Sequence, residues 1–387
     1  MHILIIPSWY PTDVSPLSGI FFREQAQALR KAGHQVGVIF PERKSLRWFR
    51  FRNLKSYVFH EDDQGVATIR KKGWNWFPRI PHAYADLYLD DGVVLYDEYV
   101  NKYGEPDIIH AHAMLFGGVL ATRIKKRYDK PFVVTEHSTA FALHEIKPWQ
   151  ESYLANIYQS ASKIITVSPK LGDILAGQYG CPKKIIKFIP NIVDTEFFSL
   201  NAKKDKVQDK FVYCTVSSLT HRKGLHILFN AFASKFKNNM QCELWIGGDG
   251  EERARLEEEA SCLGISEQVK FLGMLNRAQV CDYVQRADVF VLPSLYETFG
   301  VVLIEALACG KPVIATRCGG PEYIVNEING LLVPRNDVEA FASAMEKMKE
   351  SYKSYNPILI RQDCINRFSE EAVTRQLGRI YEEVLEK

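Results

Sequence analysis

Short apolar runs alternate with segments of helical period along the whole chain. In the first half the runs fall at 3–6, 35–40, 107–112, 132–135 and 163–167, and the apolar spacing of 21–32, closed by Gly33, predicts a helix. The pattern restarts at 211–216 and continues through 241–246, 269–271, 289–292 and 313–315, with helices predicted over 225–236 and 251–262. Strands that are apolar throughout and separated by helices belong to parallel sheets covered on both faces. The expectation is an α/β protein with two doubly wound parallel sheets. The break falls near 191–210, where residues 201–206 read as a polar linker. A last amphipathic helix, introduced by Ser369, is predicted from 368 through Tyr381.

Composition agrees with two domains. The 387 residues exceed one ordinary core, and 46% hydrophobic with 25% charged residues is a globular balance. The eight cysteines, at 181, 214, 242, 262, 281, 309, 318 and 364, form no CxxC pair, so reduced thiols in a cytoplasmic protein are expected. Met1 to Pro7 lacks the basic start of an export signal, and no apolar run approaches the roughly 18 residues of a membrane span.

Charge changes the picture more. The net +3 hides 25 Lys and Arg against 19 Asp and Glu in residues 1–195, and 24 against 27 in residues 196–387. The basic excess gathers in 43–55 and 70–79, where Trp48, Phe49, Phe51, Trp74, Trp76 and Phe77 stand among the cations. Such segments suit peripheral contact with an anionic membrane. The apolar positions of 43–55 scatter around a helical wheel, which leaves a solvated basic face or a groove for an anionic acceptor as alternatives. No motif accompanies the charge to suggest nucleic acid.

The candidate chemistry is densest between 287 and 322. The run 287–293 reads as a buried strand and 300–308 as a short apolar helix ended by Gly310. Glu297 then lies on the loop off the strand's carboxyl end, and Glu305, roughly two helical turns further on, faces the same crevice. Open α/β sheets bind ligands at such ends. Thr298, Phe299 and Gly300 offer backbone N–H groups at a helix start, a seat for an anion. A second glycine turn, Thr316 to Glu322, follows strand 313–315. Gly247-Gly248-Asp249-Gly250 has Arg253 where a GxGxxG fingerprint needs a small residue, which argues against hydride transfer. The absence of any Asp-x-Asp leaves the charge of a nucleoside diphosphate to protein cations, so neither metal nor cofactor is expected.

The stretch from Glu297 to Glu305 resembles the E-x7-E signature of the retaining glycosyltransferases of family 4. Further blocks resemble that family in order: Ile189 to Phe198, Arg222-Lys223-Gly224-Leu225, and Leu244 to Glu251. The resemblance covers nearly the whole chain. It implies the GT-B fold, two Rossmann-like domains facing across a cleft, with domains 1–191 and 192–367 and a terminal segment 368–387 packing back on the first. It implies a retaining transfer of a hexose or N-acetylhexosamine from a nucleoside diphosphate sugar, UDP favoured and GDP-mannose next, to a glycan or lipid-linked acceptor. Lys223 falls on the diphosphate-binding Lys. Arg222 substitutes for a Gly-Arg that this chain replaces with Ser217-Ser218. Glu305 would hold the ribose, and Glu297 would stand near the sugar and diphosphate. Phe299, Gly300 and Val301 would offer N–H groups, with Gly319, Gly320 and Glu322 along the nucleotide. In the first domain Ser18 and Gly19 precede a helix, Gly19 permits close backbone approach to phosphate or sugar, and His110, His112 and His137 end two strands. His137 falls on the family's sugar-contacting histidine, with His110, His112 and Ser18 on the acceptor side. A GT-B epimerase, a phosphorylase and an inactive nucleotide-sugar-binding partner are the alternatives.

Overall fold

The structure, a computed structural model, describes residues 1–16, 18–44, 46, 56–77, 79–200 and 210–386. It divides into two compact units, Met1–Pro190 with Val373–Lys387, and Asn191–Ala372.

Among the described residues, unit 1 holds strands β1 (His2–Pro7), β2 (Gln35–Lys44), β3 (Tyr57–Asp63), β4 (Val66–Trp74), β5 (Ile108–His112), β6 (Phe132–Glu136), β7 (Lys163–Thr166) and β8 (Ile186–Phe188). They form one sheet in the order β3-β4-β2-β1-β5-β6-β7-β8. Every pairing is parallel except β3 with β4. Its helices are α1 (Ile20–Lys31), α2 (Pro81–Tyr103), α3 (Val119–Tyr128), α4 (Pro148–Ser160) and α5 (Pro169–Gln178). β1 is buried along its whole length, as an apolar run inside a two-sided parallel sheet must be. Strand order reverses between β1 and β5, and the loops leaving both converge there: Ser8 N–H and Oγ–H donate to the His112 carbonyl at 3.0 and 2.8 Å.

Unit 2 repeats the plan with β9 (Phe211–Val216), β10 (Cys242–Gly247), β11 (Val269–Gly273), β12 (Val289–Leu292), β13 (Val313–Arg317) and β14 (Gly330–Pro334). These are parallel in the order β11-β10-β9-β12-β13-β14. The helices are α6 (Leu225–Phe236), α7 (Arg253–Leu263), α8 (Arg277–Arg286), α9 (Val301–Ala308), α10 (Pro321–Ile324), α11 (Val338–Ser351) and α12 (Pro357–Phe368). Leu228, Phe232, Leu244, Val291, Phe341 and Met345 belong to one buried cluster between sheet and helices. Strand order reverses between β9 and β12.

The chain ends in α13 (Glu370–Leu385), which Ser369 caps by accepting from Ala372 N–H at 3.2 Å. The return to unit 1 comes five residues later than the expected 368, after Ala372. Phe368 is fully buried in unit 2 against the Phe299 and Tyr323 rings, and its carbonyl accepts from Val193 N–H at 2.9 Å. From Val373 onward the helix belongs to unit 1, where Tyr381 is buried and Glu383 pairs with Lys163 at 2.7 Å.

The basic segments need correction. Residues 45, 47–55 and 78 lie outside the described residues, as does the polar linker expected at 201–206. Of the rest, Arg70 is buried and bonds Glu61 at 2.6 Å, Lys71 pairs with Asp91 at 2.6 Å, and Lys72 with Asp13 at 3.2 Å. Arg43 also pairs with Asp91. These cations are neutralised by carboxylates of β3, α2 and the loop after β1, so 70–72 is an ion-paired strand and not a free basic face. The β3–β4 hairpin that supplies Glu61 was not expected, because its polar residues lie at the sheet edge.

Candidate functional site

In unit 2 the site forms where the strand order reverses. The loop leaving β9 carries Arg222 and Lys223 in a short helical turn, His221–Lys223, that ends at Gly224. Gly224 has φ +65°, and a Cβ there would stand 2.2 Å from the Pro293 carbonyl oxygen, so only glycine lets this loop lie against the one leaving β12. Leu295 N–H donates to the Arg222 carbonyl at 2.8 Å across the same seam. The two loops present Lys223 and Glu297 to each other: Nζ lies 2.6 Å from Oε1, which also accepts from Ser294 Oγ–H at 2.8 Å. Glu297 is buried.

The glycine turn after β13 locks the other side. Glu297 N–H donates to the Cys318 carbonyl at 3.1 Å, and Gly320 N–H to the Glu297 carbonyl at 2.8 Å. Glu322 turns inward and accepts from Cys318 and Gly319 N–H at 3.1 and 2.8 Å. Its carboxylate shapes the turn. A Cβ on Gly320 would sit 2.2 Å from the Phe299 Cα, so the turn passes directly over the start of α9. Gly300 caps that helix at φ +100°, with Val301 as its first residue. The Ser217, Thr220 and Thr298 hydroxyls are buried around these loops without hydrogen-bond partners.

Glu305 lies on α9 toward α8 and has a different cationic neighbour. Burial pushes its carboxyl up to about 7, and the Arg277 guanidinium opposes that rise. The unfolded chain titrates near 4.5, so between 4.5 and about 7 the native state holds the extra proton, and stability falls as pH rises through that window. The ionised form is therefore disfavoured in the native state. Glu305→Gln, with no charge to desolvate, is expected to raise the melting temperature by several degrees at pH 8 and to leave it nearly unchanged at pH 5. Calorimetry of the ligand-free proteins at both pH values checks this.

Unit 1 carries a histidine stack at its own point of reversal. His110 and His112, two apart on β5, share a face with centroids 4.4 Å apart. His112 Nδ1 lies 3.1 Å from His137 Nε2, and Phe22 of α1 packs on both rings at 4.6 and 4.9 Å. The His112 Nε2 is buried without a partner. His110 departs from the acceptor-side expectation: Tyr381 Oη and Thr135 Oγ1 take its two ring nitrogens at 2.6 and 2.7 Å, and burial lowers it to about 3. It ties α13 to the sheet as a neutral side chain. Gly19 caps α1 at φ +72°, where a Cβ would meet the Trp9 carbonyl oxygen at 2.8 Å, and Ser18 lies in the turn before it.

The chain is similar to known proteins in sequence and in fold. The family description Glycosyltransferase Family 4 fits residues 18–197, and Glycosyl transferases group 1 fits residues 197–359. The chain is a GT-B glycosyltransferase of the family 4 type. Among similar glycosyltransferases, an uncharacterised one of Methanocaldococcus jannaschii is 28% identical over all of this chain and 99% of its own. The lipopolysaccharide core biosynthesis glycosyltransferase LpsE of Rhizobium meliloti is 35% identical over 45% of this chain and 50% of its own. The structure of Anabaena HepE in complex with UDP superposes with a TM-score of 0.76 at 19% identity, over 99% of this chain and 100% of that one, a likeness of fold.

Several residues of this glycosyltransferase site escaped sequence reasoning. Ser294 stood unremarked beside Pro293, and Arg277 starts a helix that had not been predicted. Glu136, the last residue of β6, stands next to His137. It is fully buried and accepts N–H bonds from Met114, His137 and Ser138 at 2.7, 2.8 and 2.6 Å. Burial raises its carboxyl to about 7 against those three bonds. Its position at the carboxyl end of β6, one residue before a strand-end histidine, was the available signal.

Proposed function

We propose that the chain transfers a hexose or N-acetylhexosamine, with retention, from a nucleoside diphosphate sugar to a glycan or lipid-linked acceptor in polysaccharide or glycoconjugate synthesis. The observation that carries this reading is the Lys223–Glu297 pair, 2.6 Å long and held by Ser294 at the strand-order reversal of unit 2. An ammonium has three donors, and Glu297 takes one, leaving two for a diphosphate. Arg222 and the N–H groups of Phe299, Gly300 and Val301 add to that seat, and Glu305 takes the ribose. As the bond to the anomeric carbon breaks, negative charge grows on the β-phosphate, where fixed cations stabilise it most. The departing phosphate oxygen accepts the acceptor's proton on the face of attack, so no side-chain nucleophile and no metal enter the scheme. His137 and His112 stand on the unit that binds the acceptor. A UDP-sugar is the favoured donor, a choice supported by the UDP held in HepE. Exposed Trp76, Phe77 and Ile80 beside Arg79 support peripheral contact of unit 1 with an anionic lipid surface.

Incubation with UDP-, GDP- and ADP-sugars without acceptor tests the reading. Slow release of nucleoside diphosphate from one donor is expected, abolished in Glu297→Ala, with the α or β configuration kept in the product seen by NMR. Silence across the panel, with no thermal stabilisation by any nucleotide, would make the chain a non-catalytic protein.

A further inference from the structure

We propose that an open cavity of about 440 Å³ at the carboxyl edge of the unit 1 sheet binds the uncharged hydroxyl groups of a sugar, with Glu42 as the acceptor of their hydrogen bonds. The cavity lies between the loop after β1, with Pro11 and Asp13, and the ends of β2 and β4, with Glu42, Arg70 and Lys72. Its size falls within the roughly 300–1,000 Å³ of small-ligand sites.

Glu42 is only 3% exposed, and neither carboxylate oxygen has a hydrogen bond. Its cationic neighbours stand at ion-pair range, Arg70 Nη1 at 3.6 Å and Lys44 Nζ at 3.9 Å. The group therefore has charge compensation but lacks donors. The Tyr10 hydroxyl, under Arg70 with the guanidinium 5.0 Å from the ring centre, is also buried without a partner. Burying a carboxylate and a hydroxyl without hydrogen bonds weakens a fold, and packing alone has no use for it.

The cations exclude an anionic ligand. Arg23 is held by Asp63 through two bonds of 2.5 Å, Arg70 by Glu61 at 2.6 Å and the Pro11 carbonyl at 2.7 Å, and Lys72 by Asp13 at 3.2 Å. Carboxylates outnumber cations around the cavity. A ligand that donates hydrogen bonds and brings no charge fits, and sugar hydroxyls do so. Lys44, 3.9 Å from Glu42 and 3.8 Å from the exposed Asp13, is the neighbour whose displacement the proposal requires to open the carboxylate to them. Arg23 lines the cavity from the first turn of α1, next in sequence to the Phe22 that packs on His112 and His137. One residue step, about 3.8 Å, separates the two. Resting on the transfer reaction proposed above, the cavity takes a non-reacting ring of the acceptor glycan.

Saturation-transfer NMR on the whole protein with methyl α-glucoside and N-acetylglucosamine, against glucosamine as an ammonium control and glucose 1-phosphate as an anion control, tests this. Binding of the neutral sugars is expected, weakened at least tenfold by Glu42→Gln, whose melting temperature is equal to or above that of the unaltered protein. Neutral-sugar binding that Glu42→Gln leaves intact, or a tighter Glu42-dependent response to the ammonium or the anion, overturns the proposal. If that variant does not fold, Glu42→Asp, which keeps the charge and withdraws the oxygens, is held to the same binding criterion. Nucleotide release by the unaltered protein without acceptor tests the transfer reaction separately, so either reading can fail alone.

Discussion

Glu297→Gln is expected to lower sugar-transfer turnover about 10²- to 10³-fold, the loss that follows removal of one fixed charge-stabilising contact. The carboxamide keeps the size of the side chain, and its oxygen can still accept from Ser294 Oγ–H, 2.8 Å away in the native protein. It loses the negative charge that fixes Lys223 at 2.6 Å, and with it the charge that in the proposed transfer would face positive charge at the anomeric carbon. Donor binding should weaken less than turnover, because the ground-state sugar carries no such charge. Initial rates over a donor titration, with melting temperature as a fold control, separate the two effects. Equal losses in donor affinity and turnover efficiency, with kcat unchanged, would make Glu297 a binding residue alone.

The parts of this site that the sequence revealed are those set by local pattern. The apolar run Val289–Leu292 could only be a buried strand, and Val301–Ala308 only a short buried helix, so Glu297 had to stand on the loop between them. The glycines could be read because backbone approach requires them: Gly224 against Pro293 and Gly320 against Phe299. What stayed hidden depends on distant partners. Period-two alternation places His110 and His112 on one face, yet nothing near them tells that Tyr381, 271 positions away, closes over His110. The cluster Arg70-Lys71-Lys72 looked like a basic surface because Glu61, Asp91 and Asp13 come from other segments. Glu305 was grouped with Glu297 by spacing, and only the packing of α8 supplies Arg277 as its neighbour. Sequence thus located loops and lost the ion pairs between elements, which decide whether a charge is free to meet a ligand.

Lys223→Met is expected to cost about 10²- to 10³-fold in kcat/KM for the donor, and its pairing with Glu297 predicts how the two substitutions combine. Methionine keeps much of the apolar stem and removes the ammonium. The single change removes the ammonium proposed to hold the phosphate and leaves Glu297 buried with Ser294 as its side-chain partner, so the fold should weaken as well. The loss of stability should stay below the roughly 3–5 kcal/mol of a fully buried pair, since the two side chains remain 16% and 11% exposed. Adding Glu297→Gln removes the stranded charge, so the double variant should melt higher than Lys223→Met alone. Activity should show the same coupling. If ammonium and carboxylate act as one unit, the double variant turns over within about tenfold of the poorer single variant. Independent contributions would multiply to about 10⁴- to 10⁶-fold. A full cycle of rates and melting temperatures across the four proteins decides between them, and multiplied losses would mean that the 2.6 Å contact is a resting-state pairing which the bound diphosphate breaks.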